Sequence, residues 1–160
     1  MASTYTPIAT TTLGSSTPSV TFSSISGIYT DLILVASTQN ASGADNLVLN
    51  FNSDTGSNYS VTRLNGNGTS ASTSRATNQT VLQCGEVHST RSTTVIHIMN
   101  YSNTTTYKPT ITRQNNAANL VAENINLWRS TAAITSILIS TSSYNFSAGS
   151  SFTLYGIAAA

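Results

Sequence analysis

The sequence predicts an all-β domain: a two-sheet antiparallel sandwich, jelly-roll-like, preceded by an extended N-terminal arm. Three observations carry this expectation. From Val20 onward, apolar runs of strand length alternate with clusters of turn-forming residues. Within the runs, apolar and polar side chains alternate with period two; Leu47, Leu49 and Phe51 point one way and Asn46, Asn50 and Asn52 the other, the pattern of a sheet with one wet face. The abundant residue types, Thr, Val, Ile and Tyr, suit a pleated, half-buried surface, and no sustained helical period competes with them.

Residues 1–18 form the predicted arm. They carry only Tyr5, Ile8 and Leu13 as apolar anchors, and Pro7 and Pro18 hold the backbone extended around themselves. The sandwich spans 19–160, with strands predicted at 19–25, 31–38, 46–52, 58–64, 80–84, 93–101, 106–113, 119–128, 132–140 and 150–157. Ser26-Gly27, Ser42-Gly43, Thr55-Gly56, Asn65-Gly-Asn-Gly68 and Ala148-Gly149 supply turn geometry between them. Ile137-Leu-Ile139 could be helical by periodicity, but its Ser and Thr neighbours are poor helix formers and favour a strand. Pro109, inside a strand pattern, points to an edge or a bulge. Nothing recurs at a fixed period.

Composition excludes several classes. The 160 residues fit one domain. Charged residues are only 7%, their place taken by 26 Ser, 27 Thr and 16 Asn, while seven Tyr, four Phe and one Trp argue for a packed interior rather than disorder. Arg63, Arg75, Arg91, Lys108, Arg113 and Arg129 are scattered singly in a chain of net charge +1, which speaks against nucleic acid and against an anionic membrane as partners. Cys84 stands alone, so an internal disulfide is excluded. The N-terminus lacks the basic start and apolar run of a signal peptide, and the chain is expected to be made and folded in a cytosol.

The chemistry-bearing residues each have a bland reading that fits better. Asp54-Thr55-Gly56-Ser57 matches the string around an aspartic-protease carboxylate, but that chemistry needs two such carboxylates sharing a proton, and one copy is present. Between two predicted strands the string is a good turn, and Asn would suit it as well, so Asp54→Asn is expected to leave the fold nearly unchanged. Asn50, Asn52 and Asp54 alternate like the opening of a calcium loop, without the glycine and closing Glu in register. His88 lies near Glu86, and His97 shares a strand face with Val95 and Met99; neither has a second ligand at a metal-binding spacing. Trp128 is a weak ligand-stacking candidate, with a core or sandwich-end position as the alternative. Glu123 interrupts the apolar alternation of Val121, Ile125 and Leu127, and needs an exit to solvent or a partner in Arg113, Arg129 or a neighbouring subunit. No catalytic residue, cofactor or metal is expected.

Several strings are similar to a group of small structural proteins and domains of tailed bacteriophages, including cyanophages. They are Tyr5-Thr-Pro-Ile-Ala-Thr-Thr-Thr-Leu-Gly14, Val20-Thr-Phe-Ser-Ser-Ile25, Tyr29-Thr-Asp-Leu-Ile-Leu-Val35, Phe51-Asn-Ser-Asp-Thr-Gly-Ser-Asn-Tyr-Ser60 and Ala148-Gly-Ser-Ser-Phe-Thr-Leu-Tyr-Gly-Ile157. The resemblance implies a virion component assembled in the host cytoplasm, with a β-sandwich and no catalytic residues. A capsid decoration or cement protein is the first expectation: a homotrimer contacting the major capsid protein or other virion proteins. The alternative is a tail- or fibre-associated module that binds host-surface glycans. An extended arm can add to a neighbour's sheet, so Tyr5, Pro7, Ile8 and Leu13 join Glu123 as assembly-interface candidates.

Overall fold

The alternating runs pair into twelve strands among the described residues, with every pairing antiparallel. The structure, a computed structural model, describes residues 4–116, 118 and 120–158. Residues 1–3 of the arm, residue 119 at the start of a predicted strand and residues 159–160 at the end of the predicted sandwich lie outside them.

The strands are β1 (Tyr5–Thr12), β2 (Ser19–Phe22), β3 (Asp31–Thr38), β4 (Asp45–Phe51), β5 (Tyr59–Gly66), β6 (Ala71–Gln79), β7 (Leu82–Val87), β8 (Ser92–Ile98), β9 (Lys108–Asn116), β10 (Leu120–Trp128), β11 (Ile137–Thr141) and β12 (Ser151–Ile157). They build a large sheet in the order β1-β12-β3-β8-β9-β10-β5-β6 and a small one in the order β2-β11-β4-β7. The sandwich is therefore uneven, eight strands against four, where the jelly-roll expectation has eight strands in all.

Between the sheets, Leu32 and Leu34 of β3, Ile96 and Ile98 of β8 and Phe152 and Leu154 of β12 meet Val20, Phe22, Leu47, Leu49, Phe51, Ile137 and Ile139 of the small sheet. Full burial of each such side chain contributes about 1.5–3 kcal/mol. The other half of the interior is polar. The inward face of β9 is Lys108, Thr110, Thr112, Gln114 and Asn116, that of β10 includes Asn124 and Asn126, and all seven are buried.

Two expectations change here. Pro109 is in neither an edge strand nor a bulge, because β9 lies between β8 and β10. Its carbonyl accepts from the backbone N–H of Met99 at 3.1 Å, so its nitrogen also faces that side, where β8 has already ended at Ile98. No ladder bond to β10 is lost. The wet face expected for β4 is covered as well: Val48 is 4% exposed and Asn50 6%.

The arm is extended. Its residues Tyr5–Thr12 pair with β12 from Tyr5↔Ile157 to Thr12↔Ser151, broken by a bulge between Pro7 and Ala9. The strand β6 has no counterpart among the predicted ones. Its sequence of Ala, Ser, Thr, Arg, Asn and Gln buries nothing fully, so no apolar period marks it.

The Leu-Tyr-Gly-Ile ending has a packing cause. The Tyr101 hydroxyl accepts from the Tyr29 backbone N–H at 3.3 Å and donates to the Ser26 carbonyl, pinning the 26–29 loop so that the Tyr29 ring lies on Gly156. A Cβ at 156 would sit inside that ring. Gly156→Ala is expected to cost about 1–3 kcal/mol in a denaturant titration. The penalty should shrink when Tyr29→Ser is present; an equal penalty in both backgrounds would show that the ring is not its cause.

Candidate functional site

Chemistry-bearing side chains fall into three places: the corner between β4 and β5, a clamp between the sheets, and the outer face of the large sheet. At the corner, the chain leaves the small sheet at Phe51 and enters the large one at Tyr59. The Asp54 carboxylate accepts from the Trp128 indole N–H at 2.6 Å, from the Gly56 backbone N–H at 2.8 Å and from the Asn58 amide at 3.0 Å. Its backbone carbonyl accepts from Asn50 at 2.8 Å and from the Tyr59 hydroxyl at 3.1 Å. Burial pushes the Asp54 carboxyl up, but the three donors, led by Trp128, outweigh it and hold the group below its ordinary value. Burial pushes the Tyr59 phenol up to about 12, so it stays a neutral donor.

Trp128 is 2% exposed, with Phe51 edge-on at 5.5 Å and Tyr59 stacked at 6.4 Å between ring centroids. The ligand-stacking candidacy of Trp128 is thereby corrected, since the ring is buried in the core against Tyr59 and Phe51 and its indole N–H is taken by Asp54. Asn50, Asn52 and Asp54 do not converge on a common point either. The Asn50 amide also donates to the Thr80 carbonyl at 2.8 Å, and the Asn52 oxygen accepts from the backbone N–H groups of Thr135 and Ser136 at 2.8 and 3.1 Å.

The clamp joins β7 of the small sheet to β5 and β9 of the large one. Glu86 pairs with Arg63 and lies 3.2 Å from the His88 ring, while its backbone N–H donates to the Gln114 oxygen at 2.7 Å. The Gln114 amide returns a bond to the Glu86 carbonyl. Gly85 makes room for this: its φ is +133°, and a Cβ there would collide with the Gln114 side chain. Elsewhere, His97 pairs with Asp31 at 2.8 Å, and the buried Lys108 ammonium donates to the carbonyls of Thr106 and Thr131 at 2.6 and 3.2 Å. Cys84 is fully buried, and burial pushes its thiol well up. The nearness of Glu86 and His88 in the sequence was the one trace of the clamp, and by itself it specified nothing; Arg63 and Gln114 gave none.

The arm candidates divide. Leu13 is buried in this chain's own core, and Ile8, the extra residue of the bulge, packs against it. Tyr5 is 55% exposed, and Pro7 is exposed.

On the outer face of the large sheet, β10 reverses the alternation expected of it. Trp128 and the corner fix the strand so that Ala122, Asn124, Asn126 and Trp128 point inward, and Val121, Glu123, Ile125 and Leu127 point outward. Val121 and Ile125 are 56% and 45% exposed, and Leu64 of β5, opposite Glu123, is 49% exposed. Arg113 of β9 lies opposite Glu123 on its other side. A groove of about 650 Å³ runs beside them, lined by Leu64, Gly66, Ala71, Arg113, Val121 and Glu123. Comparison with protein-family models, curated protein sequences and solved structures finds no match.

The corner revises the expected tolerance of Asp54→Asn. An amide suits the turn but sets its N–H against the Trp128 indole in one orientation or the Gly56 backbone N–H in the other, both donors. We expect a loss of about 1–3 kcal/mol. Because the folded carboxyl titrates below its ordinary value, its contribution is present above about pH 4 and disappears as pH falls through the folded value. Thermal melts of both proteins between neutral and acid pH should therefore converge in the acid range. Parallel curves would mean that this carboxylate is not the linked group.

Proposed function

We propose that the chain is a non-catalytic structural protein of a bacteriophage virion, a decoration or cement protein that stabilises the head shell as a homo-oligomer, with a trimer as first expectation and the major capsid protein as a further partner. The observation that carries this reading is the inverted central strip of the large sheet, where β9 and β10 turn polar side chains inward and Val121, Ile125 and Ile111 outward. Leu64, Val121 and Ile125 lie together as exposed apolar side chains on neighbouring strands, and such a cluster fits a contact with another protein. The polar side chains that could do chemistry hold the fold instead: four of the five carboxylates, Asp31, Asp45, Asp54 and Glu86, are engaged in hydrogen bonds or ion pairs. The resemblance to tailed-phage structural proteins supplies the virion setting.

The glycan-binding alternative loses its proposed stacking residue with Trp128 inside the core. Antibody labelling of intact particles tests the reading, with label expected over the head in many copies. Label confined to the tail tip would favour the alternative. Hydrolytic turnover by the purified chain, abolished by Asp54→Asn while the fold persists, would overturn the non-catalytic reading.

A further inference from the structure

We propose that the outer face of β5, β9 and β10 is the contact between copies of this chain, with Arg113 of one copy paired to Glu123 of the next. The inference rests on the structural role proposed above and names the surface that performs it. Glu123 is the fifth carboxylate. It is exposed and makes no hydrogen bond or ion pair with any described residue, unlike the other four. Arg113, directly across the ladder, is likewise exposed and without a partner among the described residues. Arg63, Arg91, Lys108 and Arg129 all have acceptors; Arg75 of β6 is exposed and has none either, but only Arg113 lies directly opposite the unpaired carboxylate.

The two unpaired charges lie within an apolar frame. Glu123 has Leu64 on one side, Arg113 on the other, and Val121 and Ile125 before and after it on its own strand face. The structure leaves the two side chains apart, so covering the frame with a purely apolar surface would desolvate both charges, with at most one pairing between them to offset the cost. An occupant that brings one positive and one negative group at the spacing of adjacent strands, together with apolar surface, satisfies both. A polyanion would satisfy Arg113 and repel Glu123, and a basic partner would do the reverse. A second copy of the same patch satisfies both, because a surface carrying both charges side by side is complementary to itself under a two-fold rotation; this contact makes a dimer, in place of the trimer first expected.

Sedimentation of the intact chain at micromolar concentration provides the test. The unmodified protein should run as one oligomer. Arg113→Glu and Glu123→Arg should each raise the dissociation constant by about tenfold or more. An equimolar mixture of the two variants should regain the original size, since each then supplies what the other lacks. A monomeric unmodified chain, a variant of unchanged size, or a mixture that stays apart while both variants keep their sheet circular dichroism would each overturn the contact. If a reversal unfolds the chain, Arg113→Gln and Glu123→Gln carry the same test with a smaller shift. A chain that stays monomeric yet coats particles overturns this contact and the homo-oligomer but leaves the decoration role standing; an oligomer absent from particles leaves the contact and overturns the decoration role.

Discussion

The bond from the Trp128 indole to the Asp54 carboxylate is the constraint on which the rest of the structure depends. It joins the end of β10 to the turn that carries the chain from the small sheet into the large one. Trp128 is the register partner of both Tyr59 in β5 and Lys108 in β9, so burying it fixes three neighbouring strands at once. A slip of one residue would turn each strand's inward set outward. Placed as it is, the indole sends every even-numbered residue of β10 inward and every odd-numbered one outward. The exposure of Val121 and Ile125, and the placing of Glu123 opposite Arg113, follow from that single buried ring.

The unusual composition makes physical sense in the same terms. A chain with few charges and many Asn, Ser and Thr closes its turns with side chains. The Asn40, Asn67 and Asn103 oxygens each accept backbone N–H bonds from residues two and three places on, in local turns that need no tertiary partner. Its few charges are then free to act between elements, as in the Glu86 clamp with Arg63 and His88. Against this economy, an exposed cation and anion side by side on an apolar face are the exception, and they mark where the surface differs from a merely solvated one.

The interior shows the complementary exception. Under β7, the large sheet presents Thr110, Asn124 and Asn126 where the other half of the sandwich presents Leu and Ile. Some of these are tied in, as when the Asn124 amide donates to the Gln83 carbonyl at 3.2 Å and the Thr112 hydroxyl to the Asn124 carbonyl at 3.3 Å. Apolar side chains gathered on the outside and amides within are the reverse of what folding a solitary sheet would favour. The arrangement is consistent with a surface shaped for contact with another molecule.

The sequence by itself determined the all-β sandwich and most of its strands, because a period-two pattern bounded by turn residues is a local signal that survives without any knowledge of neighbours. It also singled out Glu123 as a carboxylate needing a partner or an exit to solvent, and the structure gives it the exit. Only the tertiary structure decided which face of β10 is buried, since alternation specifies that two faces differ but not which one meets the second sheet. The apolar set Val121, Ile125 and Leu127 reads as core until Trp128 claims the opposite face. The edge strand β6 was invisible for a related reason: it is held mainly by backbone bonds to β5, with the Arg129 guanidinium on Asn78 at its end, and backbone bonds leave no trace in side-chain pattern. The turn at Asp54 was legible, but its bond to Trp128 was not, because that partner is 74 residues away and a hydrogen bond across that separation exists only once the sheets have closed.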